Sequence, residues 1–202
     1  MARPRAFDET EAIDAAMDCF WQRGFEATSV RDLARHMGIT GTSLYNAFGD
    51  KRTLFAKSLE RYCTRSTRER IARLEAAHPP REALEHFFAE IIDKTASDAD
   101  RRGCFLVNSA LDVAPHDPEL GQTIGGYLDE LKAFYRRVVS RGQSEGSISG
   151  DIDAEEMSSL LLAMLVGIRV LARVGADRPT LEAIARPVLV MLAPGNDRQQ
   201  AP

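Results

Sequence analysis

Little in this chain points to secretion or to chemistry of its own. Only three cysteines occur among 202 residues. Cys19, Cys63 and Cys104 lie far apart and are odd in number, which argues against a disulfide framework and for a reducing cytoplasm. Residues 1–14 contain no apolar leader. The longest apolar run, 160–168, is ended by Arg169 and is too short to span a bilayer, so no membrane partner is expected. A single tryptophan and 7% aromatic residues leave a mainly aliphatic core. Alternating strand patterns and internal repeats are missing. So are an HExxH pair, a phosphate-cradling glycine loop, a nucleophile elbow and a Cys/His cluster with metal spacing. The four histidines, His36, His78, His86 and His116, are scattered. The usual marks of an enzyme are therefore absent, and neither a cofactor nor a metal is expected.

Excess positive charge is lacking too. The formal net charge is -4, and the first fifty residues carry fewer basic than acidic side chains. Any binding to phosphate has to come from the placement of residues, not from bulk charge.

What is present is helical periodicity at nearly every point. Ile13, Met17, Phe20 and Trp21 recur at helical spacing after Asp8, a cap residue followed three positions on by Glu11, and Gly24 can end that helix. Thr28 or Ser29 can open a short second helix ending near Gly38, and Thr40 a third. Asp50 opens a long fourth, with Leu54, Phe55, Leu59 and Tyr62 on one face. The stretch Ala77-His78-Pro79-Pro80 breaks the pattern. Leu84, Phe87, Phe88, Ile91 and Ile92 mark the next helix, and 103–113 reads as another. Asp117-Pro118 starts a long one in which Gly125-Gly126 suggests a bend or a close contact. A polar, glycine-rich loop is expected at 142–153, followed by helices near 154–174 and 181–192 and a disordered tail from Pro194. The expectation is an all-α fold of about nine helices. A helix-turn-helix domain at 1–50 is joined by helix 51–76 to a larger helical domain at 77–193.

The segment Val30–Phe48 has the parts of a helix-turn-helix. Ala34 permits close helix crossing, Gly38 suits the turn, and Leu33, Met37, Ile39, Leu44 and Phe48 face inward. Thr40, Gly41, Thr42, Ser43, Tyr45 and Asn46 remain on the opposite face, small and polar as a groove-reading helix requires. A plain helical hairpin without DNA binding is the competing reading, as in a helical ligand-binding or interaction protein.

The run from Thr28-Ser29-Val30-Arg31-Asp32-Leu33-Ala34 through Gly38-Ile39 and Thr42-Ser43-Leu44-Tyr45-Asn46-Ala47-Phe48-Gly49-Asp50-Lys51 to Leu54-Phe55 resembles the N-terminal signature of the TetR/AcrR family of regulators. The resemblance implies a repressor that binds a palindromic operator as a homodimer and is released by an unknown small organic effector. It implies phosphate contacts from Thr28, Tyr45 and Lys51, with Thr40, Gly41, Thr42 and Ser43 at the major groove. Arg31 joins this DNA-facing set, Asn46 could bond a base edge, and Arg3 and Arg5 could form an arm. No Lys or Arg stands in the recognition helix, so bidentate guanine contacts must come from elsewhere or specificity rests on smaller contacts and DNA shape.

The same resemblance implies a ligand pocket and a dimer face in the C-terminal part. Phe88, Phe105, Tyr127, Tyr135 and Met164 are aromatic or flexible pocket candidates, with Asn108 and Arg169 as polar ones and Cys104 beside them. Leu160, Leu161, Met164, Ile168, Leu181, Ile184 and Val188 are the expected dimer contacts, in a four-helix bundle made by two subunits. Cys104, expected in the first turn of a helix next to Arg101 and Arg102, has the setting of an activated thiol. Residues 103–113 also resemble electrophile-sensing, N-ethylmaleimide-type repressors, in which a cysteine is linked to a lysine. Arg173 holds the lysine position here and cannot form that bond.

Overall fold

The computed structural model describes residues 7–194. The arm suggested for Arg3 and Arg5 and the tail from residue 195 lie outside them. Nine helices run through the described residues, and no strand occurs among them.

The helix ends follow from local chemistry. Asp8 caps α1 (Glu9–Arg23), accepting from the backbone N–H of Thr10 at 2.7 Å, and Gly24, at φ 81°, closes it. Ser29, not Thr28, caps α2 (Val30–His36), and Asp32 completes a reciprocal capping box. Thr40 caps α3 (Gly41–Phe48) and Asp50 caps α4. Helix α4 is continuous from Lys51–Cys63 through a π turn at Thr64–Arg68 into Glu69–Ala77. The wide turn falls on Thr64, Ser66 and Thr67, weak helix formers, and the carbonyl of Ser66 accepts from Arg70 Nη1 at 2.8 Å.

Pro80 occupies the first position of α5 (Pro80–Ala96), and Pro118 that of α7 (Pro118–Ser144). Between them lies α6 (Phe105–Asp112), and α8 (Ala154–Arg173) and α9 (Arg178–Met191) complete the set. Three expectations change. Helix α6 begins two residues later than its sequence suggests, because Gly103 takes φ 71° and Cys104 is extended. Helix α7 passes through Gly125-Gly126 unbroken, with nothing close to either glycine, and continues past Gly142 to Ser144.

One hydrophobic core runs from Ala12 on α1 to Leu192 beyond α9. Helix α1 lies along α4, α7 lies along α8, and α9 closes over α5 and α8. An aromatic seam joins the first helices to the rest. Phe20 and Phe25 meet Phe55 edge-on, ring centroids 5.2 and 4.9 Å apart, and Phe55 meets Phe105 of α6 at 5.5 Å. Trp21 meets Tyr62 at 5.1 Å and Tyr62 meets Phe105 at 5.7 Å. Edge-to-face pairs of this kind add about 0.5–1.5 kcal/mol each beyond their buried area.

The glycines of α7 separate by environment. A Cβ at Gly142 would lie 2.6 Å from Cγ1 of Ile148, which is buried, whereas Gly125 and Gly126 have open space. Gly142→Ala should destabilise by about 1–3 kcal/mol through overpacking. Gly125→Ala should stabilise the subunit by about 0.5–1 kcal/mol through helix propensity. Urea titration of the two variants checks both signs.

Candidate nucleic-acid interface and inner cavity

Helices α2 and α3 meet across Gly38, which takes φ 67°. Leu33, Ala34, Leu44 and Phe48 are buried beneath them. This orientation leaves Thr42, Tyr45 and Asn46 pointing outward, with Tyr45 53% exposed. Thr40 and Ser43 bind one another: the Ser43 N–H donates to Thr40 Oγ1 at 3.1 Å, and the two hydroxyls are 2.9 Å apart. Gly41 has open space around it, so the α3 N-terminus is free for close approach by a partner backbone. Arg31 is exposed on α2. Lys51 is half-buried; its ammonium donates to the Phe25 carbonyl at 3.0 Å and sits 4.2 Å above that ring. That fixes the lysine at the mouth of α4 while two of its three N–H groups remain for another acceptor.

Thr28 is a correction. Its side chain is fully buried, and its hydroxyl donates to the Gly24 carbonyl at 2.6 Å. A phosphate cannot reach it, because the residue lies beneath the cap of α2 and not on its surface.

The acidic residues of this region are largely engaged. Asp14 pairs with Arg61 at 2.7 Å and with Arg65, and Asp32 with Arg35 at 2.9 Å. The Arg61 hydrogen bonds hold the Asp14 carboxyl below its ordinary range.

A family profile for "Bacterial regulatory proteins, tetR family" matches residues 12–57, and one for the "Tetracyclin repressor-like, C-terminal domain" matches residues 80–188. The chain belongs to the TetR family of transcriptional regulators. It is similar to the uncharacterized HTH-type regulator YezE of Bacillus subtilis (strain 168), 31% identical over 184 residues, which cover 90% of this chain and 94% of that one. It is equally similar, at 31%, to the HTH-type transcriptional repressor ComR of Escherichia coli (strain K12), with 91% and 88% covered. Among solved structures, a cysteine mutant of the TetR regulator CifR, complexed with 26-bp double-strand operator DNA, is 33% identical with a TM-score of 0.83. That match covers 93% of this chain and 98% of CifR. The reduced form of E. coli NemR superposes with a TM-score of 0.82 at 16% identity, covering 92% of this chain and 97% of NemR, a likeness of fold alone. Among the described residues of this TetR regulator, no helix is long and apolar enough to cross a membrane.

The inner pocket is assembled from other residues than the sequence suggests. Of the eight expected pocket residues, Cys104 and Arg169 share a small hollow with Tyr62, Ser66, Thr67 and Arg70, and Arg169 also borders a larger cavity of about 240 Å³ with Trp21, Tyr62, Lys94, Thr95 and Arg102. Phe88 lines an outer groove between α5 and α9. Tyr135 is fully buried and stacks on Phe88, 5.8 Å away. Met164 is buried in α8, and Tyr127 donates to a carboxylate oxygen of Glu60. Phe105 and Asn108 border a hollow under Trp21, where Asn108 donates to the Arg102 carbonyl at 2.8 Å. Trp21, Tyr62, Lys94, Thr95 and Arg102 were missed, because they come from four separate stretches of chain and carry no joint local pattern.

Cys104 is buried, stands at the N-cap position of α6, and accepts a hydrogen bond from Tyr62 at 3.4 Å. The two arginines before it turn elsewhere. Arg101, at φ 49°, reaches toward Gly175, and Arg102 lies 4.5 Å over the Trp21 ring. The contacts of both guanidiniums are thus with groups other than the thiol.

The expected dimer contacts also divide. Leu161, Met164, Ile168 and Leu181 are buried inside the subunit and cannot present a face to a second copy. Leu160 is exposed, and Ile184 and Val188 are half-buried. Both faces of these helices are apolar, so composition alone does not tell the inner from the outer.

Helix α4 is tied to α7 near its start. Arg52 donates to Asp117 through Nε at 2.7 Å and Nη2 at 3.0 Å, and to Glu119. These bonds hold the Asp117 carboxyl well below its ordinary value near 3.8. A carboxyl depressed by folding contributes its stability above the unfolded value and loses it as pH falls through the carboxylate range. The thermal midpoint should therefore drop as pH falls below about 4, and Arg52→Gln should flatten that dependence. Calorimetry across the acid range reads both.

Proposed function

We propose that this regulator is a homodimeric repressor that binds a palindromic operator and is released when its inner cavity is occupied or Cys104 is modified. Residues 1–50 form the reading head, 51–76 the connecting helix, and 77–193 the effector-binding and dimerisation part. The observation that carries the reading is Trp21. This residue of α1 belongs to the reading head, yet its ring lies on Arg102 and Tyr62 at the cavity wall, and its Nε1 donates to the Arg102 carbonyl at 3.1 Å. An occupant of the cavity meets the head directly.

Tyr45 and Lys51 supply phosphate contacts, and the N-terminal turn of α3, from Thr40 to Ser43, approaches the major groove with Asn46 beside it. Arg31 adds a backbone contact from α2. One head reads too few bases for useful specificity, so two are needed, spaced about 34 Å apart on consecutive major grooves. The exposed face of α8 supports a two-fold axis. Leu160, Ala163, Gly167, Val170, Leu171 and Val174 recur at helical spacing, and Gly167 has open space about it. An effector displaces DNA only if it binds better to the dimer whose heads are wrongly spaced.

Cys104, at a helix N-terminus, lines a small neighbouring hollow together with Tyr62 and Arg169, two residues that also wall the cavity at Trp21. Its modification by an electrophile would add bulk behind Tyr62 and Arg169 and push these residues toward the effector cavity, which gives a second route to release. Release of DNA by an electrophile should be lost in Cys104→Ser, while release by a noncovalent effector persists; electrophile release intact in that variant would remove the thiol from the mechanism.

Fluorescence anisotropy on DNA upstream of the chain's own gene tests the rest. Leu171→Asp should convert the dimer to monomer in analytical ultracentrifugation and weaken operator binding at least about tenfold, because the second head no longer adds its contacts. Tyr45→Phe should weaken binding about fivefold, the loss of one hydrogen bond of ~1 kcal/mol, with no change in thermal midpoint since the side chain is exposed. A dimer that ignores operator DNA would refute the reading.

A further inference from the structure

Arg169 of α8 is 6% exposed, and its charge has no counter-ion among the described residues. Its Nη1 donates to Thr95 Oγ1 at 2.7 Å, and its Nε is buried without a partner. Carboxylates on the facing helix and the residues just after it are committed elsewhere. Glu90 binds Arg70 and Arg73, Asp93 binds Arg178, and Asp98 lies by Arg102. A buried cation left in this state costs several kcal/mol, so such groups are normally paired or ligand-bound.

Arg169 borders a cavity of about 240 Å³ together with Trp21, Tyr62, Lys94, Thr95 and Arg102. Its charged lining is three cations and one carboxylate, Asp98. An adjoining cavity of about 430 Å³ shares Trp21, Tyr62 and Lys94 as its wall. Burial, and then the charge of Arg70 and Arg169, hold the Lys94 ammonium below its ordinary value. Trp21 and Tyr62 form the aromatic part of the wall, and Thr95, Ser97, Ala99 and Gly103 complete it.

We infer that the cavity takes a small organic carboxylate whose anionic end seats on Arg169, between Thr95 and Lys94, and whose apolar body lies against Trp21 and Tyr62. A carboxylate supplies the two acceptors a guanidinium lacks here, and a neutral amide does not neutralise it. The inference rests on the effector reading above and names its chemical class.

Trp21 is the chain's single tryptophan, so its fluorescence reports the cavity without a label. The full-length protein is titrated with benzoate and hexanoate, and separately with benzamide and hexanamide. Saturable changes with the two acids, and binding of the amides at least about tenfold weaker, are expected. Arg169→Met should lose the preference for acids while its thermal midpoint holds or rises, because an apolar side chain replaces an unpaired buried charge. Arg169→Lys should keep part of it. Equal binding of acids and amides, no binding of either acid up to about 10 mM, or wild-type affinity for acids in Arg169→Met would overturn the proposal. Operator anisotropy separates the two readings. Carboxylates that bind Arg169 but leave DNA affinity unchanged uphold this site and refute its effector role, whereas DNA release by a neutral compound alone upholds release and refutes the carboxylate.

Discussion

The aromatic seam through Phe20, Phe55, Trp21, Tyr62 and Phe105 is the contact on which the remaining structure depends. Helices α2 and α3 are short, and helices of seven or eight residues do not persist alone in water. They hold their shape because α1 lies on α4 and because α4 is rooted by α6 and α7. Orientation of the first three helices is therefore set by rings of which two, Trp21 and Tyr62, also border the cavity beside Arg169. A soft hinge between head and body would let the two parts move separately. This seam packs them as one unit.

Acidity in the head, which looks unfavourable for a DNA-binding protein, is resolved by where the carboxylates are spent. Asp8, Asp32 and Asp50 cap helices, Asp14 is held by Arg61 and Arg65, and Asp18 lies 3.5 Å from Arg102. Most of these groups serve the fold, and the outward face of α3 carries none of them. Net charge counts residues without regard to direction, whereas a phosphate responds to the local face.

Features set by neighbours in the chain were legible in the sequence. Asp8, Thr40 and Asp50 cap as their positions imply, and the inward set Leu33, Leu44 and Phe48 is buried. Features set by distant parts were not. Thr28 looks like a surface residue until α1 covers it. Arg101 and Arg102 look like partners of Cys104 until the left-handed turn at Arg101 sends them apart. Helix α8 is apolar around much of its circumference, so the sequence could not say that Leu161 and Ile168 face the core while Leu160 and Leu171 face out. The cavity gathers α1, α4, α5, α8 and the loop before α6, a convergence that no single window of sequence contains.

The π turn in α4 sets a matter of phase. One residue of an α-helix corresponds to a rotation of about 100°. The turn at Thr64–Arg68 adds such a step, so the half of α4 that carries Leu54, Phe55, Leu59 and Tyr62 and the half that carries Leu74 each face their own packing partners. Helix α4 thus acts as a spacer of fixed angle as well as fixed length. Losing one residue there would turn the Leu74 half of α4 by about 100° against the half that carries Phe55 and Tyr62, so that either the aromatic seam or the packing of Leu74 would have to give way.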